Sequence, residues 1–185
     1  MKKNISENER VSFTKGGKKA GNHQPGLTIH DAAEKGDLDR VKYLIEECKT
    51  NPNNINGGWT PLHYASRGNN LDIIRYLVVE CKADPNIKGN YGNTPLHFAS
   101  ENGHLDIVKY LVEEGKADPN IKNKNGRTPL QLASEKGHLD IVKYLIEKGK
   151  VDPNIKNDDG ETPLHLASEN DHLDIVKYLK IWTAL

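Results

Sequence analysis

The sequence is poor in the residues that build large central cores and covalent cross-links. Its 185 residues include two cysteines, one methionine, two phenylalanines and two tryptophans. The 26 basic and 26 acidic residues cancel, so no bulk charge attracts nucleic acid or a membrane surface. No stretch approaches the roughly 20 apolar residues of a transmembrane helix. These absences argue against a disulfide scaffold, a polyanion-binding protein and a membrane protein.

The expected lack of a signal sequence and of a disulfide indicates the cellular compartment of the protein. Residues 4–19 contain no apolar segment of the kind that a secretory signal needs. Cys48 and Cys81 occupy equivalent positions of two repeating units, and such positions in stacked helices are about 8–10 Å apart. Because a disulfide spans at most about 7 Å between Cα atoms, we expect two free thiols. The sequence therefore predicts a reducing, cytoplasmic environment.

What the sequence does contain is one short motif at a fixed interval. Thr-Pro-Leu followed by His or Gln begins at Thr60, Thr94, Thr128 and Thr162, which are 34 residues apart. A fixed period of this size is typical of a solenoid, in which each unit buries its apolar face only against its neighbours.

This period divides the chain into a tail and a repeat domain. The tail, residues 1–26, is predicted to be disordered because it has almost no apolar side chains to bury. The repeat domain, residues 27–185, has five units, and the first and last are atypical, as terminal caps of solenoids are. The units cover residues 27–59, 60–93, 94–127, 128–161 and 162–185.

The third unit shows how each unit is predicted to fold. Thr94 is a good helix N-cap, and Pro95 suits the first helical position. A second helix begins at His104, and Gly115 is expected to be its C-cap. The dipeptide Asn125-Gly126 predicts a tight hairpin turn before the next unit. The predicted fold is thus an all-α repeat solenoid, a stack of helix, helix and β-hairpin finger units.

These motifs closely resemble the ankyrin repeat. Thr-Pro-Leu-His, Gly-His-Leu-Asp-Ile-Val and Ala-Asp-Pro-Asn follow one another in the order of that family over residues 27–182. An extra lysine makes this unit longer than the usual repeat of about 33 residues. We expect it to bulge the loop before each finger. The extra residues are Lys49, Lys82, Lys116 and Lys150.

The resemblance implies a non-enzymatic module that binds another protein in a concave groove between the finger tips and the first helices. It also implies that the motif histidine hydrogen-bonds the backbone near the finger. The residue after that histidine is expected to pack between helices. In the four complete motifs this residue is Tyr64, Phe98, Leu132 or Leu166.

The candidate binding residues are those that vary at finger tips and first-helix ends while the frame repeats. They change along the stack from aromatic to basic to acidic, which predicts a partner with an apolar patch followed by acidic and then basic charge. Aromatic and arginine side chains are frequent interface anchors. The set is Trp59, Arg67, Asn90, Tyr91, Asn93, Glu101, Asn102, Lys124, Asn125, Arg127, Glu135, Lys136, Asp158, Asp159, Glu161 and Glu169.

The same repetition argues against metal binding and catalysis. The eight histidines recur along the stack, whereas a metal site needs three or four converging ligands. No serine, cysteine or carboxylate departs from the repeat pattern to pair with a base. We therefore predict no enzyme activity, no cofactor and no metal, and a monomer that binds another protein rather than a membrane or nucleic acid.

Three alternatives remain open at this stage. The chain could be a targeting or scaffold fragment of a longer protein. It could bind nucleotides or nucleic acid if Lys124 and Arg127 joined Lys88 and Lys122 in one basic patch. It could also be a hidden enzyme, which would require a pocket with convergent polar groups. Apart from these alternatives, the near-identical repeats and the richness in Asn, Lys and Ile suit an AT-rich genome and a binder delivered into a host cell.

The last unit ends in an apolar segment instead of a finger. Ile181, Trp182 and Leu185 replace the polar residues that an end cap would present. Trp182 could fold back as a lid, the sequence could be a fragment, or the end could be a contact site.

Overall fold

The computed structural model describes residues 26–183, which form five pairs of helices joined by short loops. Apart from Gly26, the predicted tail lies outside the described residues, as do residues 184–185. The pairs are α1 Ile29–Lys35 and α2 Leu38–Glu46, α3 Pro61–Arg67 and α4 Leu71–Arg75, α5 Pro95–Glu101 and α6 Leu105–Glu113, α7 Pro129–Glu135 and α8 Leu139–Glu147, and α9 Pro163–Glu169 and α10 Leu173–Thr183.

Each first helix begins at a threonine N-cap. Thr94 has extended dihedral angles, with φ −96° and ψ 167°, and Pro95 follows as the first helical residue, where no amide hydrogen is needed. In the first unit the helix starts at Thr28, whose side chain and amide are bonded reciprocally with Asp31. The capping side chain changes, but every first helix has the same length of seven residues.

The two layers of helices pack with different spacing. Successive first helices are in closer contact than successive second helices, so the stack curves with the first helices on its inner side. The same motif positions fill the core in every layer. Fully buried members include Leu62, Leu96, Leu130, Ile107, Ile141 and Ile175.

The extra lysine of each unit takes a left-handed backbone conformation. The φ angles of Lys49, Lys82, Lys116 and Lys150 are 57°, 55°, 60° and 58°. The loop therefore bulges at the inserted residue. In the second unit the helix before it is also widened, and α4 continues as a π-helical segment, Tyr76–Glu80.

The prediction that Gly115 is the C-cap of α6 is wrong, because Glu114 is the C-cap and Lys116, not the glycine, takes the left-handed conformation. The amide of Ala117 donates to the Leu111 carbonyl at 2.8 Å, which closes a wide turn around both residues. A Cβ on Gly115 would lie 2.8 Å from the Leu111 carbonyl oxygen. The first unit nevertheless has Cys48 at this position, and its turn is closed in the same way by the Thr50 amide donating to the Leu44 carbonyl at 2.9 Å.

The fingers are tight turns, and the expected β-hairpins are not confirmed. Within residues 26–183 the one β-bridge is an isolated pair, Asn56 with Trp59. In the third unit the finger is closed by the amide of Asn123 donating to the Arg127 carbonyl at 2.9 Å. A second backbone bond, from the Gly126 amide to the Asn123 carbonyl at 3.1 Å, lies inside the same turn, and so short a tip leaves no residues for a strand ladder.

Each finger is instead bonded to the next one. The amide of Asn90 donates to the Gly58 carbonyl at 2.9 Å, and the amide of Lys124 donates to the Tyr91 carbonyl at 2.8 Å. The last junction repeats this contact, from Asp158 to Asn125, at 3.2 Å. The finger tips consequently form a continuous row along the stack.

The end of the described chain does not fold over as a lid. Helix α10 continues to Thr183, and the Trp182 ring lies beside Tyr178 with 6.3 Å between ring centroids. Leu173 and Ile181 are each 66% exposed. One face of this helix is packed in the core through Ile175 and Leu179, whereas Leu173 and Ile181 are left largely uncovered by the described residues.

Candidate functional site

Buried side chains fix each finger against the first helix before it. Nδ1 of His97 accepts a hydrogen bond from the Thr94 amide at 3.1 Å, and Nε2 donates to the Arg127 carbonyl at 3.1 Å. An amide can only donate and a carbonyl can only accept, so the ring is the neutral Nε2–H tautomer. Burial lowers the pKa of His97 to about 4. The contact that the resemblance implied is present.

The same contact is made in neighbouring units by different side chains. His63 donates to the Asn93 carbonyl at 3.1 Å, and burial lowers its pKa to about 4. Gln131 replaces the imidazole: its Oε1 accepts from the Thr128 amide at 3.0 Å and its Nε2 donates to the Glu161 carbonyl at 2.9 Å. Glutamine therefore keeps both bonds without a titratable group.

A second set of histidines connects adjacent units. Each lies directly before a second helix and bonds, through Nε2, the carbonyl of the last residue of the first helix in the preceding unit. The pairs are His104 with Arg67 at 3.0 Å, His138 with Glu101 at 3.0 Å and His172 with Glu135 at 2.9 Å. These bonds join each second helix to the first helix of the preceding unit and so fix adjacent units to each other.

An aromatic cluster lies at the N-terminal end of the inner surface. Trp59 makes edge contacts with Phe98 and Tyr64, at ring-centroid distances of 4.9 and 5.7 Å. The Arg67 guanidinium lies 5.3 Å from the centroids of Trp59 and Tyr64 and forms an ion pair with Glu34. Trp59 and Arg67 are half-buried. Both predicted binding residues thus belong largely to the packing of the protein itself.

The room for Trp59 comes from a glycine that the sequence analysis did not identify. A Cβ on Gly89 would lie 2.6 Å from Cδ1 of Trp59. The equivalent residues of the next two fingers are Asn123 and Asn157, which bond their own finger. The sequence did contain a signal for this contact: a glycine stands where the next two fingers have asparagine.

Tyr91 is the most exposed aromatic side chain among residues 26–183, at 70%. It lies at the tip of the second finger in a short 3₁₀ turn, Asn90–Gly92, and its φ is 59°. Its carbonyl is bonded by the next finger, whereas its ring faces solvent. Of the predicted aromatic anchors, the structure leaves only this one open among the described residues.

Four of the predicted charged residues form a network in the middle of the inner surface. Arg127 pairs with Glu135 at 2.5 Å, and Lys136 lies 3.7 Å from the same carboxylate. Arg127 is also 3.9 Å from Glu161. The structure brings these four predicted binding residues together, but they neutralise one another.

The remaining predicted residues follow the same surface. Asn93 and Glu101 are half-buried, and Asn102 lies at the end of α5 with its amide bonded to the Phe98 carbonyl. The other members are exposed: Asn90, Lys124, Asn125, Asp158, Asp159 and Glu169.

The residue after the motif histidine packs as expected. Phe98, Leu132 and Leu166 are buried, and Tyr64 is half-buried in the aromatic cluster. Among residues 26–183, no group of three or more His, Cys, Asp or Glu residues is placed to hold a metal ion. None of the described helices is long and apolar enough to cross a membrane.

Fold and surface together define a helical repeat protein with variable side chains on a constant frame. A family model for three copies of the ankyrin repeat matches residues 29–123 and 115–182, and the chain belongs to the ankyrin-repeat family. A 35-residue segment is 51% identical to the 26S proteasome non-ATPase regulatory subunit 10 of Dictyostelium discoideum. That match covers 18% of this chain and 15% of the relative. Ankyrin repeats are generally protein–protein interaction modules and are typically non-enzymatic.

Proposed function

We propose that this chain is a non-enzymatic binding module whose protein partner lies against the concave face, between the finger tips and the ends of the first helices. The observation that carries the proposal is the open ring of Tyr91 on a rigid finger. The histidine and glutamine contacts hold each finger in place before any partner arrives, which lowers the entropy lost on binding.

The backbone of Tyr91 supports this role. A left-handed conformation costs a non-glycine residue about 1–2 kcal/mol, and a ring that is 70% exposed recovers little of that by packing. Strain of this kind is concentrated at functional positions. Tyrosine is also a common interface anchor.

Capture of a partner by the full chain tests the proposal. We expect a protein captured by the wild-type chain to be lost with Tyr91→Ala and kept with Val79→Ala. Val79 is the matched control because it is also an exposed apolar residue, at 49%, but lies in the second-helix layer. Circular dichroism confirms that both variants fold. Equal capture by wild type and Tyr91→Ala, or loss with Val79→Ala, would place the site elsewhere.

Nucleic-acid binding is less well supported, because three of the four basic residues of the predicted patch, Lys88, Lys122 and Arg127, are already engaged. The Nζ atom of Lys88 donates to the Lys122 carbonyl at 3.1 Å, and that of Lys122 donates to the Lys156 carbonyl at 2.8 Å. Arg127 is paired with Glu135. A polyanion would have to break these contacts to reach the charges.

The proposal also covers the cellular compartment of the protein and its biological role. Cys48 and Cys81 are free thiols, which supports a reducing, cytoplasmic compartment. The near-identical repeats support a scaffold or host-directed role for a monomeric binder. Non-reducing gel filtration tests the first point, because a disulfide-linked species formed in the cell would contradict it.

A further inference from the structure

The predicted binding residues of units three to five carry more negative than positive charge. Among the predicted binding residues there, six are acidic and three are basic. The acidic residues are Glu101, Glu135, Asp158, Asp159, Glu161 and Glu169, and the basic ones are Lys124, Arg127 and Lys136.

Two contacts show which residues face each other across the groove. The residue before the motif threonine and the last residue of the first helix, eight positions later, meet in space. Arg127, which ends the third unit, makes this contact with Glu135 of the fourth unit at 2.5 Å. Trp59, which ends the first unit, makes it with Arg67 of the second unit, and the guanidinium lies 5.3 Å from the ring centroid. In both cases a side chain at the end of one finger lies beside the end of the next first helix.

At the other two junctions the repeat register gives the helix-end carboxylate no cation or aromatic ring as its counterpart. By position, Asn93 corresponds to Trp59 and precedes the helix that ends at Glu101, and Glu161 corresponds to Arg127 and precedes the helix that ends at Glu169. Glu161 Oε2 accepts a bond from Asn157 at 2.7 Å, while Glu169 is exposed. Within residues 26–183, neither Glu101 nor Glu169 forms an ion pair.

We infer that the partner is a protein with an extended basic segment, whose arginine or lysine side chains pair with Glu101 and Glu169. This inference rests on the proposed function, because it names the chemistry of the partner at the same surface. Arg127 on Glu135 shows the contact that a partner guanidinium makes where the finger supplies no cation. The bound segment neutralises the excess of acidic charge in these units.

The repeat spacing sets the distance between the two basic side chains. Glu101 and Glu169 end first helices that are two units apart, and stacked helices are about 8–10 Å apart. The basic groups are therefore about 16–20 Å apart, which an extended chain spans in about five or six residues. Between them the segment passes the neutralised pair of Arg127 and Glu135 and needs no charge.

Selection from a displayed library of random 12-residue peptides, with the full chain as bait, tests this inference. We expect enriched peptides with two basic residues five or six positions apart. Binding of a synthetic copy is expected to weaken by about tenfold with Glu101→Arg/Glu169→Arg. It is also expected to weaken as salt is raised. Glu47→Arg/Glu114→Arg, with the same charge change at exposed ends of second helices, is expected to leave binding unchanged.

The outcomes separate this inference from the proposed function. Enriched peptides that lack basic residues but lose binding with Tyr91→Ala would overturn the inference and leave concave-face binding intact. Basic peptides that bind equally to both charge-reversal variants would overturn it as well. Enrichment of no peptide, or of peptides insensitive to every inner-surface variant, would overturn both.

Discussion

Replacement of His97 by glutamine is expected to remove much of the acid sensitivity of this protein while leaving its fingers in place. Burial lowers the pKa of His97 to about 4 from an ordinary value of 6.5. That difference corresponds to about 3 kcal/mol of unfolding free energy. Gln131 shows that glutamine makes both bonds at this position.

The direction in which pH changes the unfolding free energy follows from which state, folded or unfolded, binds the proton. Between pH 6.5 and 4 the unfolded chain protonates this histidine, whereas the folded chain keeps it neutral. The contribution is therefore fully present above pH 6.5 and is lost as the pH falls towards 4. His63 is buried in the same way, and its pKa is also lowered to about 4. The double variant His63→Gln/His97→Gln is expected to lose up to about 6 kcal/mol of pH dependence.

Urea unfolding at several pH values between 7 and 4.5 measures the effect. The gap in unfolding free energy between His97→Gln and wild type should move in favour of the variant as the pH falls. Gln131→His, which adds a buried imidazole, is the reciprocal control and should increase acid sensitivity. Parallel pH profiles for wild type and His97→Gln would refute the reasoning, as would a His97→Gln variant that is unfolded at pH 7.

Four further variants test particular contacts. Lys116→Gly should stabilise the chain by about 0.5–1 kcal/mol in urea unfolding, because glycine relieves the left-handed backbone; an unchanged midpoint would contradict this. Trp59→Ala should destabilise by about 3 kcal/mol in the same assay, whereas a loss below about 0.5 kcal/mol would mean that the ring does not pack. Gly89→Ala should cost about 1–3 kcal/mol, and much less in the background of Trp59→Ala; additive losses would contradict the close contact. Tyr91→Asn should raise the melting temperature while abolishing partner capture, and a lower melting temperature would contradict the assigned strain.

Much of the fold follows from the sequence because it depends on local rules. The threonine N-caps, the proline after each and the apolar stripes all act within one unit, and each motif recurs 34 residues later, so they are readable without tertiary information. The conformation at Gly115 could not be predicted in this way. Which of two adjacent residues becomes left-handed depends on the whole wide turn between Leu111 and Ala117, and composition alone favoured the glycine.

The candidate site was predictable as a surface but not as a set of contacts. The variable positions do lie on the fingers and first-helix ends, as the repeat register requires. The packing of Trp59, which ends the first unit, against Phe98 of the third unit depends on how the units stack. The pair of Arg127 and Glu135 could have been noticed as opposite charges eight residues apart, yet this spacing has no meaning until the finger folds back over the helix.

Site-specific photo-cross-linking to a captured partner tests the claim of concave-face binding most directly. A photoreactive residue is introduced at Tyr91, Lys124 or Asp158 on the finger tips, and at Val79, Lys109 or Glu114 in the second-helix layer. Concave-face binding predicts covalent partner adducts from the three finger positions and none from the outer three. Adducts from the outer positions, with none from the fingers, would contradict it.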